Sequence, residues 1–99
     1  MTWFLYLIEC EDGSVYTGIA KDVAARFAQH CNGTGARYTR ARKPVAVLAT
    51  FELADRGSAL RAEYRVKQLS PRQKRALAAG MLALDSVLPP AAETPASLE

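Results

Sequence analysis

WFLYLIECEDGSVYTGI, residues 3–19, decides the fold. Two short runs rich in β-forming residues flank Glu11-Asp12-Gly13, a pattern that predicts a β-hairpin. Loop length sets what that hairpin presents. A two-residue Asp12-Gly13 turn would oppose Glu11 to Ser14 and turn Tyr6 and Tyr16 to opposite faces. A three-residue Glu11-Asp12-Gly13 loop would instead pair Cys10 with Ser14, Ile8 with Tyr16 and Tyr6 with Gly18. The second register suits glycine at the third loop position, where a type I turn passes into a left-handed residue. It gathers Tyr6, Ile8, Tyr16 and Gly18 on one face, because strand side chains alternate. Gly18 would then leave open space opposite Tyr6. Two phenols beside a gap suggest a site; two half-buried strand tyrosines are the plainer alternative.

The rest of the chain is bounded by its length and charge. Ninety-nine residues, 49% apolar and 23% charged, make one globular domain. No apolar run reaches membrane-spanning length. The opening WFLYLI lacks a basic leader and is broken at Glu9, so it does not read as a signal peptide. Cys10 and Cys31 form no CxxC and no metal-ligand spacing, and the single histidine argues against zinc. Two free thiols in a reducing cytoplasm is the expectation. Net charge is only +3, but all thirteen Lys and Arg residues lie between Lys21 and Arg75, with four acids among them, a local net of +9. A basic segment of that size usually serves phosphate backbones, although charge spread around a soluble surface would look the same in sequence.

After the hairpin, Asp22 predicts the N-cap of a helix to about Cys31, stopped by Asn32-Gly33. Val23, Phe27 and Cys31 would form its buried stripe, with Arg26 and His30 as neighbours on the bordering face. Residues 33–44, GTGARYTRARKP, hold four basic residues and no acid, and read as a mobile basic loop along a phosphodiester backbone. Tyr38 would stack on a base there, or simply pack against the domain. No GxGxxG or Walker pattern is present. Pro44 opens a third strand, VAVLATFEL, apolar on both faces and therefore expected to be covered on both sides. A second helix begins at Asp55 or Ser58 and runs through Leu69. Ala59, Leu60, Ala62, Tyr64, Val66 and Leu69 fill a broad apolar arc on it, with Glu63 inside the arc. A carboxylate there is costly unless paired or bound to a cation. An exposed Glu63–Lys67 pair gains only ~0.3–0.5 kcal/mol, too little to explain the position. Ser70-Pro71-Arg72-Gln73 starts a third helix that Gly80 ends. Beyond Leu84 the composition shifts to Pro, Ala and acids, so residues 1–84 are expected to form the domain and 85–99 a disordered tail.

Taken together, these residues resemble the GIY-YIG nuclease superfamily, and its small stand-alone bacterial YhbQ-like members in particular, over about residues 3–80. Leu5-Tyr6-Leu7 stands where the GIY motif lies, with Phe4 in place of the glycine, and Tyr16-Thr17-Gly18 stands for YIG. Arg26 with His30 matches the family's basic pair on the first helix, and Glu63 its metal-binding glutamate. Arg37-Tyr38-Thr39-Arg40 and Arg42-Lys43-Pro44 look like the YhbQ-like subgroup. Asn32 is the sole asparagine, so the asparagine that some members carry after the glutamate helix has no counterpart.

The resemblance implies an α+β fold, a three-stranded antiparallel sheet flanked by helices in the order β-β-α-β-α-α. It also implies metal-dependent phosphodiester hydrolysis on DNA, structure-selective or non-specific, of the kind used in repair or recombination. Tyr6, Tyr16, Arg26, His30 and Glu63 would be catalytic, with Glu63 the ligand to Mg²⁺ or Mn²⁺. Gly18, Arg37, Tyr38, Arg40, Arg42, Lys43 and Lys67 would contact substrate. Either tyrosine would serve as the base; the space opened by Gly18 favours Tyr6. A chain of this size has no separate targeting module, so a protein partner for targeting is expected. Two other readings stay open: a nucleic-acid-binding module of this fold without turnover, and a domain that serves a protein partner.

Overall fold

The computed structural model describes residues 2–35 and 37–88, without the side chains of Arg37 and Tyr38. Strand β1 (Trp3–Cys10) and strand β2 (Val15–Ala20) form the expected hairpin. The three-residue loop is the one adopted. The Cys10 amide donates to the Ser14 carbonyl at 2.9 Å, and the Gly13 amide to the Cys10 carbonyl at 2.9 Å. Gly13 carries φ +86°, the left-handed value that a side chain would strain. Tyr6 therefore pairs with Gly18 and Ile8 with Tyr16, and both phenols share a face.

Helix α1 (Val23–Cys31) follows, capped by the Asp22 carboxylate accepting from the Ala25 amide at 3.0 Å. The expected basic loop contains a short helix, α2 (Arg37–Ala41). Strand β3 (Pro44–Leu53) pairs antiparallel with β1 and completes a sheet of order β2-β1-β3. Two helices return across the sheet: α3 (Arg56–Lys67), capped by Asp55, and α4 (Pro71–Ala78), whose Ser70 and Gln73 close a reciprocal capping box. A last short helix, α5 (Leu84–Val87), was not expected. Val87 and Leu88 pack against the core, so residues 85–88 of the expected tail belong with the domain; residues 89–99 lie outside the described part.

Three layers result. On one face of the sheet, Leu5, Leu7 and Val15 join Ala62 and Val66 of α3 and Leu77 of α4. On the other, Tyr6, Ile8, Cys10 and Ala20 pack with Tyr16, Val23 and Phe27 under α1. The central strand, β1, is thus covered on both sides. That corrects the expectation for β3, an edge strand whose exposure alternates and which leaves Val45 and Val47 open. Two irregularities in its pairing with β1, at Leu7/Ile8 and Glu9/Cys10, accompany that edge position.

Two helix faces also differ from the sequence reading. Cys31 is exposed, and the residue that α1 buries is His30. On α3 the buried stripe narrows to Ala59, Ala62 and Val66, while Leu60 and Tyr64 face solvent. Glu63 lies beside that stripe rather than within it, half-buried, with its carboxylate 3.5 Å from the Lys67 ammonium.

Candidate active site

The hairpin face under α1 carries the chemistry. Burying a histidine requires partners for both ring nitrogens, and His30, 1% exposed, has them. Its Nε2 lies 2.9 Å from the Tyr6 hydroxyl and its Nδ1 2.7 Å from Oγ1 of Thr39, a buried residue of α2. A phenol donating to Nε2 and an Nδ1–H donating to the threonine satisfy every group in one neutral tautomer. Burial first, and the nearby Arg26 charge second, hold the His30 pKa below its ordinary value, consistent with that neutral ring.

Tyr6 is the deeper phenol, 1% exposed. Burial and its neighbour Tyr16 push it up to about 12, while hydrogen bonding and charge from Arg26 pull the other way. Tyr16 is only half-buried. Its pKa is raised too, chiefly by burial and also by the Glu63 charge, against the lowering effects of Arg26 and of a hydrogen bond with Tyr6. The three rings form one cluster, with centroids 6.2 Å apart for Tyr6–Tyr16, 5.9 Å for Tyr6–His30 and 5.1 Å for the edge-on Tyr16–His30 pair. Arg26 rests its guanidinium on Gln29 at 2.8 Å, one turn from His30. Arg26 therefore acts electrically on both tyrosines and on His30, and Glu63 on both tyrosines, though these groups come from β1, β2, α1 and α3.

Gly18 has a different role from the one expected. The space opposite Tyr6 is not open. A methyl group at Gly18 would overlap the Tyr6 hydroxyl and come within 2.5 Å of its Cζ and 3.1 Å of Tyr16 Cε2. The missing side chain lets the Tyr6 phenol lie flat over the strand and reach His30. With that space filled by the phenol itself, Gly18 gives no reason to prefer Tyr6 over Tyr16 as the base.

Two residues absent from the expected set frame His30. Thr39 fixes its Nδ1. Gly35 packs so closely that an added methyl group would press on the ring and on the His30 backbone. The signal was present in Gly35-x-x-x-Thr39, a small residue and a hydroxyl just after a helix that carries the only histidine. It was masked by the basic residues between them.

The expected substrate contacts separate. Arg40 is exposed on α2, next to Thr39, and Lys43 is exposed at the exit of that helix. Arg42 is engaged by Asp12 of the hairpin loop at 3.1 Å. Lys67 stands beside Glu63. The side chains of Arg37 and Tyr38, with the expected phosphate contact and base stacking, lie outside the described residues.

Among the described residues, no three His, Cys, Asp or Glu side chains gather into a metal cage. A hard cation that keeps most of its waters needs only one or two carboxylates. Glu63, half-buried, loosely held by one exposed lysine and felt by both phenols, fits such an ion.

Comparison with known proteins shows the family of the chain. A family model described as the GIY-YIG catalytic domain matches residues 2–76. A UPF0213 protein of Cupriavidus necator is 51% identical over 83 residues, 84% of this chain and 90% of that one. The UPF0213 protein YhbQ of Salmonella arizonae is 44% identical over 86 residues, covering 87% of this chain and 86% of that protein. The solution NMR structure of a UPF0213 protein from Bacillus halodurans aligns with a TM-score of 0.50 at 44% identity, over 80% of this chain and 84% of that chain. With a family model that covers well over half of its length and relatives this similar, the chain belongs to the GIY-YIG family, whose function is of the nuclease type and whose members generally use divalent metal ions.

Proposed function

We propose that this protein is an endonuclease that hydrolyses DNA phosphodiester bonds with Mg²⁺ or Mn²⁺, structure-selective or non-specific in its cutting, and serving DNA repair or recombination. The observation that carries the reading is the buried Tyr6–His30–Thr39 hydrogen-bond chain with the half-buried Tyr16 packed against it. The Tyr16 ring packs against both Tyr6 and His30, Tyr6 is 2.9 Å from His30 Nε2, and His30 Nδ1 is 2.7 Å from Thr39. A hydrolase needs a route for the proton of the attacking water, and this chain, with Tyr16 at its outer end, offers one.

Tyr6, at about 12 and sealed from solvent, is a poor group to meet that water. Tyr16 meets it. As the Tyr16 proton passes to the Tyr6 oxygen, the Tyr6 proton passes to His30 Nε2, and the Tyr16 phenolate so formed takes a proton from water. The resulting imidazolium keeps its Nδ1–H on Thr39. Arg26 lies beside both phenols, where its charge favours a phenolate and opposes the extra negative charge of the phosphorane. Removal of one such donor typically costs about 3–4 kcal/mol of barrier. Glu63 would hold the metal ion, which supplies charge stabilisation at the phosphoryl oxygens and the leaving oxygen. Arg40 and Lys43, exposed around α2, offer cations to the backbone on either side of the cut.

The test is a metal-titrated cleavage assay on end-labelled single-stranded, duplex and branched DNA. Cleavage that requires Mg²⁺ or Mn²⁺ and is lost in Tyr16→Phe supports the proposal. Salt-dependent binding of all three substrates with no turnover at any metal concentration would reduce the protein to a binding module.

A further inference from the structure

On the outer side of Tyr16, a cavity of about 380 Å³ lies along the edge strand β2, and it is lined by Val15, Tyr16, Thr17, Lys67 and Lys74. None of these residues is acidic. Lys74, on α4, reaches across and donates to the Val15 carbonyl at 3.1 Å, leaving the rest of its ammonium donors uncommitted. Among the described residues no carboxylate pairs with it. Burial, and then the charge of Lys67, push the Lys74 pKa below the usual lysine range. Thr17, 1% exposed, adds a hydroxyl without a hydrogen-bond partner among the described residues, a group that a ligand oxygen would satisfy.

Glu63 meets the exposed Lys67 charge, but the Lys74 ammonium, pressed by Lys67 and with no carboxylate of its own, sits with an unsatisfied hydroxyl, a costly arrangement for a bare fold. An anion between the two lysines relieves both costs, the unpaired Lys74 charge and the Thr17 hydroxyl. We infer that Lys67 and Lys74 form a phosphate subsite on the β2 edge that seats a backbone phosphate of the nucleic-acid strand next to the one being cut. The neighbouring phosphate is the fitting ligand because Tyr16 lines the same cavity and belongs to the catalytic cluster. A strand whose scissile phosphate faces Tyr16 must continue along the strand edge on one side, and Lys74 waits there. The subsite adds register to the charge that α2 supplies, since it fixes one phosphate relative to the phenol.

The inference rests on the nuclease reading, so the experiment separates the two. The ammonium resonance of Lys74 in the intact protein is followed by NMR at fixed pH, in EDTA, during titration with inorganic phosphate and, separately, with a short DNA duplex. Both are expected to shift it, and Lys67→Gln is expected to weaken both effects. In parallel, duplex affinity is measured by fluorescence anisotropy from 50 to 200 mM salt for wild type, Lys74→Gln and Lys74→Arg. One lost phosphate contact lowers the salt slope by about 0.9, which reduces the affinity lost across that range by about three- to fourfold. Lys74→Gln should show that change and Lys74→Arg should not. A shift with phosphate but not with DNA would keep the anion site and overturn its assignment to nucleic acid. A duplex that binds while the Lys74 resonance stays put would overturn the subsite and leave the nuclease reading standing. The resonance measurement on wild type holds even if a Lys74 variant fails to fold.

Discussion

Gly18→Ala is a small change with a large expected effect. The added methyl group would overlap the Tyr6 hydroxyl and stand 2.5 Å from Tyr6 Cζ. A flexible side chain could swing away, but Tyr6 is 1% exposed, ring-packed against Tyr16 and His30, and held at its far end. Overpacking of a tight core costs about 1–3 kcal/mol. Breaking the Tyr6–His30 bond leaves a buried ring nitrogen unsatisfied, about 1–3 kcal/mol more. Part of the strain is relieved when that bond breaks, so the combined loss should be about 2–4 kcal/mol. For a domain of this size each kcal/mol shifts the melting temperature by ~4–8 °C, so Gly18→Ala should melt roughly 10–30 °C lower. Thermal denaturation followed by circular dichroism measures it. Repeating the change in a Tyr6→Phe background tests the cause. With the hydroxyl gone, part of the clash disappears and the penalty should shrink by at least ~0.5 kcal/mol, the scale of coupling between touching residues. A Gly18→Ala protein that melts within a few degrees of wild type would refute the packing argument and, with it, the claim that Gly18 exists to seat Tyr6.

Three further outcomes follow from the same geometry. Because burial and Arg26 depress the His30 pKa, its contribution to stability is fully present above the unfolded value, near 6.5, and is lost as pH falls below it; the melting temperature should drop from pH 7 to 5, less so in His30→Gln, and an identical drop in both proteins would rule out His30 as its source. Thr39→Val should leave Nδ1 without its partner and destabilise the fold by about 1–3 kcal/mol, with Thr39→Ser restoring most of it; nitrogen-15 shifts of the ring should change in the valine variant, and an unaltered tautomer would contradict the Thr39 assignment. Arg40→Ala should weaken DNA binding and lower the salt slope by about 0.9 without changing sequence preference, whereas Arg42→Ala, whose side chain already serves Asp12, should have a smaller effect; equal losses would show that Arg42 leaves Asp12 to meet the backbone.

Much of this was legible in the chain. The hairpin register followed from one glycine at the third loop position, and it brought Tyr6, Tyr16 and Gly18 onto one face. Helix starts at Asp22 and Ser70, and at Asp55 as one of two candidates beside Ser58, were written in local capping chemistry, which depends on residues three apart. What failed depended on layers that the sequence does not label. Val45 and Val47 look like core residues, but strand order places β3 at an edge. Helical spacing assigned Cys31 to the interior, yet His30 takes that position because Tyr6 and Thr39 satisfy both of its nitrogens. Gly18 was read as a gap because sequence shows a missing side chain and not the neighbour that fills its space. Thr39 went unnoticed among arginines, since its partner lies nine residues away across a turn.

The central claim is that Glu63 serves a metal-dependent reaction rather than the fold. Its ion pair with the exposed Lys67, at 3.5 Å, should contribute no more than ~1 kcal/mol. The deciding measurement is the cleavage rate of Glu63→Gln on labelled DNA across a Mg²⁺ and Mn²⁺ titration, with its metal-free melting temperature taken alongside. Cleavage abolished, DNA binding kept and melting within a few degrees of wild type is the predicted result. Cleavage at the wild-type rate with a clearly lowered melting temperature would contradict it and leave Glu63 as a structural partner of Lys67.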